Sequence, residues 1–311
     1  MKNFLITSTA ALALFSMPAY ADGHNHAGAH AEGHVGDDAS EHAAKALDTA
    51  TGYDAAVANA SLTKILMSET RKDDRARDQY RNPKETIHFL GLTPDMTVAE
   101  YAPGGGWYSR VIAPYVADNG KFIGIQFAPD PLPVSDEAKD RIRQFSATFP
   151  GKVAGWTGMD AAKFSGYLTS TIPEEMNGTV DMVFIPRMMH NLFNWNTAAS
   201  EIKAMRMLLK DDGHIGIVQH RAKADAPYSY TDGSKGYLRE ADIVAFMEIH
   251  GFELAKKSEI NANAKDPANH EKGVWTLPPR LSTSKEDAVA KAKYMAIGES
   301  DRMTLLFKKR P

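Results

Sequence analysis

The sequence predicts an α/β chain built on a doubly wound, seven-stranded, mostly parallel sheet. Three observations predict it. Seven short apolar runs alternate with segments of helical period along most of the chain. A glycine-rich turn, Gly104-Gly105-Gly106, lies between the first run and a helix. The bulk numbers agree: 311 residues at 43% apolar content suit one large α/β domain with decorations, or two small ones.

The glycine turn belongs to Thr97–Arg110, which reads TVAEYAPGGGWYSR. Val98 and Ala99 begin the strand and Glu100 closes it. Trp107–Val116 reads as a helix, with Val111, Ile112 and Tyr115 on one face. Strand, glycine turn and helix make half of a βαβ unit of the nucleotide-binding kind. Glycines let backbone and ligand meet closely, and a helix N-terminus offers unpaired N–H groups. An acid at the strand end can take a ribose hydroxyl or an ammonium. The segment resembles motif I of class I S-adenosylmethionine-dependent methyltransferases, a strand followed by acid-x-Gly-x-Gly-x-Gly. Glu100, Gly104 and Gly106 match, and Ala102 replaces the first glycine. The alternative is a glycine-rich βα turn of another α/β protein. A dinucleotide fingerprint would need glycine or alanine at Ser109.

Charge excludes some partners. With 36 basic and 39 acidic residues there is no nucleic-acid signature. No cysteine is present, which excludes disulfides, thiolate metal sites and cysteine nucleophiles. Residues 1–21 read as a secretory signal peptide: Lys2, an apolar Phe4–Phe15, then Ala19-Tyr20-Ala21. The expected mature protein is periplasmic or secreted, with no membrane span after cleavage. Residues 22–44 form a low-complexity tail carrying His24, His26, His30, His34 and His42. Such a tract either binds Zn²⁺, Ni²⁺ or Cu²⁺ weakly through neutral imidazoles or is simply solvated. Residues 45–311 are the expected methyltransferase-like domain.

Lys45–Leu92 reads as largely helical. The charged run RKDDRARDQYR reads as a solvated face, and Pro83 opens a new helix. Tyr80, Arg81 and Lys84 either face the ligand or make surface ion pairs. Lys121–Phe127 is the second strand, ending near Gln126, where the methyltransferase fold usually has an acid for the ribose. Asp136–Phe149 is the next helix and Val153–Trp156 the third strand. Asp160 follows; by resemblance it reads the adenine amine, and otherwise it caps a helix. Thr179–Pro186 is the fourth strand, and the loop Arg187–Trp195 follows it on the ligand side. Ala198–Leu209 is a helix, LLKDDG a turn like the family's Leu-Lys-Pro-Gly-Gly, and His214–Gln219 the fifth strand. Tyr237–His250 is a helix, and Phe252–Ile260 and Met303–Lys308 are the last strands. The resemblance implies that the final strand runs antiparallel, and residues 261–301 read as a lid-like insertion.

The combination of signal peptide, PGGGWYSR, MMHN, VQHRA and ESDRMTLLF is similar to a family of exported bacterial predicted methyltransferases. That resemblance implies S-adenosyl-L-methionine as cofactor, held by Glu100, Ala102, Gly104, Gly105, Gly106, Gln126 and Asp160. His190 and His220, at two strand ends, are the candidate catalytic bases. Arg187, Asn191 and Arg221 are candidates to orient a small-molecule acceptor. The methyl donor is made in the cytoplasm, while the signal peptide directs export. A second expectation is therefore a non-enzymatic module binding another nucleoside or small metabolite in the same cleft. A metal-handling role would rest on the histidine tail alone.

Overall fold

The computed structural model describes residues 55–311. The signal peptide and the histidine tail with His24, His26, His30, His34 and His42 lie outside the described residues. A seven-stranded sheet runs in the order β3-β2-β1-β4-β5-β7-β6. The strands are β1 (Thr97–Tyr101), β2 (Lys121–Gln126), β3 (Phe164–Leu168), β4 (Val180–Pro186), β5 (Leu209–His220), β6 (Phe252–Ser258) and β7 (Arg302–Lys309). β1 to β5 are mutually parallel where they pair; β7 is antiparallel to both β5 and β6. This is the doubly wound architecture with an antiparallel final strand that the sequence predicts. The strand order reverses direction between β1 and β4, the switch point beyond whose carboxyl ends sheets of this kind bind ligands.

Alternation along the strands explains the two layers. Phe122, Met182, Phe184 and Leu306 point to one face; Ile123, Ile125, Val183, Ile185, Leu305 and Phe307 point to the other. Both faces are buried, as parallel sheets require. The first face is covered by α1 (Ala55–Leu66), α2 (Pro83–Leu90), α3 (Ser109–Val116) and α5 (Phe145–Thr157), which follows the exposed α4 (Asp136–Arg143). The second is covered by α6 (Met189–Asn194), α7 (Ala198–Leu208) and α8 (Glu240–Ile249). A last helix, α9 (Ala288–Ile297), lies within the insertion. Among the described residues no helix is long and apolar enough to cross a membrane.

Three expectations are overturned. Val153–Trp156 is not a strand but the last turn of α5, and the third strand is Phe164–Leu168. The apolar tetrad VAGW has no period long enough to separate strand from helix. Phe149 and Val153, one helical turn apart, both enter the core and decide for helix despite Pro150. The charged run from Arg71 to Arg81 is not a solvated face. Arg71, Asp74 and Arg81 are buried and Asp78 is half-buried, while Lys72, Asp73, Ala76 and Gln79 stay outside. Residues 71, 74, 78 and 81 follow helical spacing, so one face carries the buried charges. The LLKDDG segment is also extended, as an irregular start to β5.

Trp107 anchors this charged segment. The Arg81 guanidinium lies 4.7 Å from its ring centroid and that of Arg71 lies 5.3 Å away. Tyr108 packs edge-on against both Trp107 and Phe184. Replacing Trp107 removes a buried ring and the platform for two cations. Trp107→Ala is expected to destabilise the fold by about 3–5 kcal/mol, read from urea midpoints, with Trp107→Phe losing less than half of that.

Candidate active site

The strand ends at the β1/β4 crevice carry the candidate residues. Glu100 sits one residue before the end of β1 and turns towards α3, where Ser109 Oγ donates to its carboxylate at 2.6 Å. Burial raises the Glu100 pKa to about 8, although Ser109, Arg187 and Arg110 pull it down. The unliganded site therefore holds a protonated acid at neutral pH.

The glycine turn follows. Ala102 takes a left-handed φ of 50°, like Gly104 at 59° and Gly106 at 76°. The non-glycine residue of the motif thus adopts the glycine conformation, at a cost of about 1–2 kcal/mol. A Cβ on Gly106 would lie 2.4 Å from the Trp156 ring, whereas one on Gly105 would meet nothing within 4 Å. Gly104 and Gly105 are exposed. Arg110 pins the turn by donating to the Gly105 carbonyl at 3.0 Å while paired with Asp74 at 2.5 and 2.9 Å. At the end of β2, Gln126 Oε1 is buried without a hydrogen-bond partner. An open turn beside an orphaned acceptor suits the hydroxyls of an adenosyl group.

Asp160 does not reach this place. It accepts from Ala162 N–H at 2.9 Å and caps the short turn Ala161–Lys163. That turn precedes β3, whose first residue pairs with Phe122 near the start of β2. Asp160 therefore lies at the amino end of the sheet, and Thr169 occupies the position beyond β3. Thr169 instead donates to Glu201 at 3.0 Å, as do Tyr101 Oη at 2.9 Å and Ala128 N–H at 3.0 Å. This buried carboxylate ties the ends of β1, β2 and β3 together.

The two histidines do meet. His190, on α6, and His220, at the end of β5, have ring centroids 5.7 Å apart. His220 Nδ1 is 2.5 Å from Ser300 Oγ. The Gln219 amide lies 3.3 Å from His190 Nδ1, and its Nε2 also donates to the Gly236 carbonyl at 2.8 Å. Trp275 brings the insertion against His190, with centroids 6.1 Å apart. Burial lowers the His190 pKa to about 4, and burial with the charge of Arg302 holds that of His220 well below its usual range. Both rings are neutral at physiological pH.

The acceptor candidates divide. Arg187 stands directly after β4 at a φ of 58°, half-buried, and its side chain makes no hydrogen bond or ion pair among the described residues. Asn191 turns its amide to Met188 Sδ at 3.3 Å. Arg221 is committed elsewhere, to Glu259 at 2.6 Å and Asp301 at 3.1 Å. Of the earlier capping candidates, Arg81 is buried at the site, while Tyr80 packs on Gly298 and Lys84 is half-buried. Sequence reasoning missed Glu299. This buried carboxylate receives Arg77 Nε at 2.6 Å, Arg81 Nε at 3.1 Å and Arg302 Nη2. Through it the N-terminal segment and the end of the insertion close one wall of the site.

No protein-family model matches the chain, and no curated protein matches it by sequence. Solved structures do resemble it. One is a SAM-dependent methyltransferase from Aquifex aeolicus: 15% identity, 80% of this chain and 98% of that one, TM-score 0.47. Another is the [4+2]-cyclase SpnF: 14% identity, 78% and 86%, TM-score 0.48. A third is geranyl diphosphate C-methyltransferase from Streptomyces coelicolor A3(2), in complex with Mg²⁺, geranyl-S-thiolodiphosphate and S-adenosyl-L-homocysteine: 12% identity, 80% and 84%, TM-score 0.47. Likeness at these identities concerns the fold alone.

Two outcomes are expected. Gly106→Ala should destabilise the fold by about 1–3 kcal/mol because the methyl group overpacks Trp156, whereas Gly105→Val should leave the thermal midpoint nearly unchanged. The second outcome concerns acid. Unfolded His190 takes a proton near pH 6.5, but the folded ring does so only near 4. Its contribution is thus complete above about pH 6.5 and is lost as pH falls through about 4, amounting to about 3 kcal/mol. Urea titrations across this window should show the loss, and His190→Asn should reduce it.

Proposed function

We propose that the chain is an S-adenosyl-L-methionine-dependent methyltransferase acting on a small molecule, and that it works after export. One observation carries the reading: an open glycine turn and the orphaned Gln126 oxygen lie at the switch point of a sheet with the methyltransferase strand order. Gly104 and Gly105 would let the donor lie against the backbone, Gln126 would bond the ribose diol, and Glu100 would take a hydroxyl or the ammonium. The donor supplies an activated sulfonium methyl group. The chain's residues must then align the acceptor and exclude water. His190 and His220, neutral and side by side, would accept a proton if the acceptor carries one. The export step is supported by the order of Lys2, the apolar segment and Ala19-Tyr20-Ala21.

A second reading is binding without turnover in the same cleft. Two observations favour it: Glu100 is already engaged by Ser109, and β2 ends in Gln126 where the fold usually has an acid.

Calorimetry with S-adenosylmethionine and S-adenosylhomocysteine tests the donor. Saturable binding is expected, with loss in Gly105→Val while the fold remains intact. Recruiting Glu100 as a carboxylate should release a proton at pH 7, so the binding enthalpy should vary with the buffer's ionisation enthalpy, and Glu100→Gln should abolish that variation. His190→Ala should keep donor affinity and lower turnover. Equal turnover in wild type and His190→Ala would remove the base from the mechanism. Fractionation checks export, with a mature form starting near Asp22 as the expected product.

A further inference from the structure

The charges around His220 do not balance. Arg77, Arg81 and Arg302 share the single carboxylate of Glu299, and Arg187 has no partner among the described residues. Four guanidiniums therefore face one carboxylate. The neighbouring acids are engaged elsewhere: Asp78 with Arg71, Asp74 with Arg110, Asp301 with Arg221, which Glu259 and Glu240 share, and Asp266 with His270, Tyr237 and the Asp301 N–H. Glu100 feels Arg187 but keeps its proton to about pH 8, and burial keeps the Tyr108 phenol protonated. Neither cancels the excess at neutral pH.

Donors are also left over. Arg81 Nη1 and Nη2, Arg187 Nε and Arg302 Nε are buried without hydrogen-bond partners. Arg81 and Arg302 are at most 2% exposed. A buried N–H donor without an acceptor is costly, so such donors are retained where a further acceptor completes them. The arginines converge on one place: Arg77, Arg81 and Arg302 meet on Glu299, whose neighbour Ser300 contacts His220, and the Arg187 backbone N–H donates to Val218, two residues before His220. That place lies at the ends of β4, β5 and β7, away from Gln126 at the β2 end. A groove lined by Tyr80, Asn82, Asn263, Glu299 and Ser300 reaches the same wall from outside.

We propose that the small molecule processed here carries an oxyanion, a carboxylate or a phosphate, anchored by Arg81, Arg187 and Arg302 beside His220. Planar guanidinium forks match these groups in two-point hydrogen bonds. The anion site follows from charge and geometry alone; that its occupant is the methyl acceptor rests on the methyltransferase reading.

The test uses the full chain, with inorganic phosphate and benzoate as probes, chloride as control, and ionic strength held constant. Calorimetry should show saturable binding of at least one oxyanion, and saturating S-adenosylhomocysteine should leave that site available. Arg187→Met should weaken oxyanion binding at least tenfold, with Arg187→Lys in between. Because the Arg187 side chain makes no hydrogen bond or ion pair among the described residues and methionine keeps its apolar stem, the unliganded Arg187→Met protein should melt at the same temperature or higher. Three results would overturn the proposal: no saturable binding of either oxyanion beyond that of chloride, a lowered melting temperature in Arg187→Met, or one-for-one displacement by S-adenosylhomocysteine, which would assign the arginines to the donor's own carboxylate. Oxyanion binding in a protein that ignores S-adenosylhomocysteine would leave the anion site standing and remove the methyl donor alone.

Discussion

Glu299 is the contact on which the shape of the site depends. It is a buried carboxylate whose pKa falls to about 2 despite burial, because Arg302, Arg81 and Arg77 surround it. Those arginines come from two distant parts of the chain. Arg77 and Arg81 precede the first strand, and Arg302 opens the last one. A carboxylate held by several guanidiniums forms only when all of them arrive, since each charge left alone in the interior is heavily penalised. The segment before β1, the insertion and the start of β7 are therefore ordered together. Further bonds follow the same seam: Arg302 Nη1 donates to the Tyr80 carbonyl at 3.0 Å, and Asn82 Nδ2 donates to Ile260 at 2.5 Å.

The glycine turn is braced from the same direction. Asp74 holds Arg110, Arg110 holds the Gly105 carbonyl, and Arg71 and Arg81 lie over Trp107 just beyond the turn. A loop that must stay open to a ligand cannot be supported by its own side chains, because glycines have none. The support comes from a charged segment packed behind it. That arrangement explains why a stretch so rich in charge is buried.

Much of the fold was legible in the sequence because strand alternation is local. Phe122 against Ile123 and Phe184 against Ile185 reveal two covered faces without any knowledge of what covers them. Positions at strand ends were legible too: Glu100, Arg187 and His220 lie at the ends of β1, β4 and β5, and His190 follows β4, as read from the sequence. It was not legible where the partner is remote. Glu299 lies 218 residues from Arg81, and no local pattern links them. Asp160 shows the opposite failure. Its local sequence imitated a site segment, but the strand it was attached to proved to be a helix.

The sequence by itself determined six of the seven strands and the glycine turn, since hydrophobic period and glycine conformation are properties of short stretches. The spacing of Arg71, Asp74, Asp78 and Arg81 also carried the buried face of the charged run, although composition alone concealed it. Only the tertiary structure decided which charges are paired and which are left over. Arg221 and Arg187 are both arginines at strand ends, and nothing local separates them. Arg221 meets Asp301 and Glu259 across the insertion, while Arg187 forms no ion pair among the described residues. The physical reason is that charge compensation in an interior is set by groups brought together through folding, at distances of a few ångströms and separations of hundreds of residues.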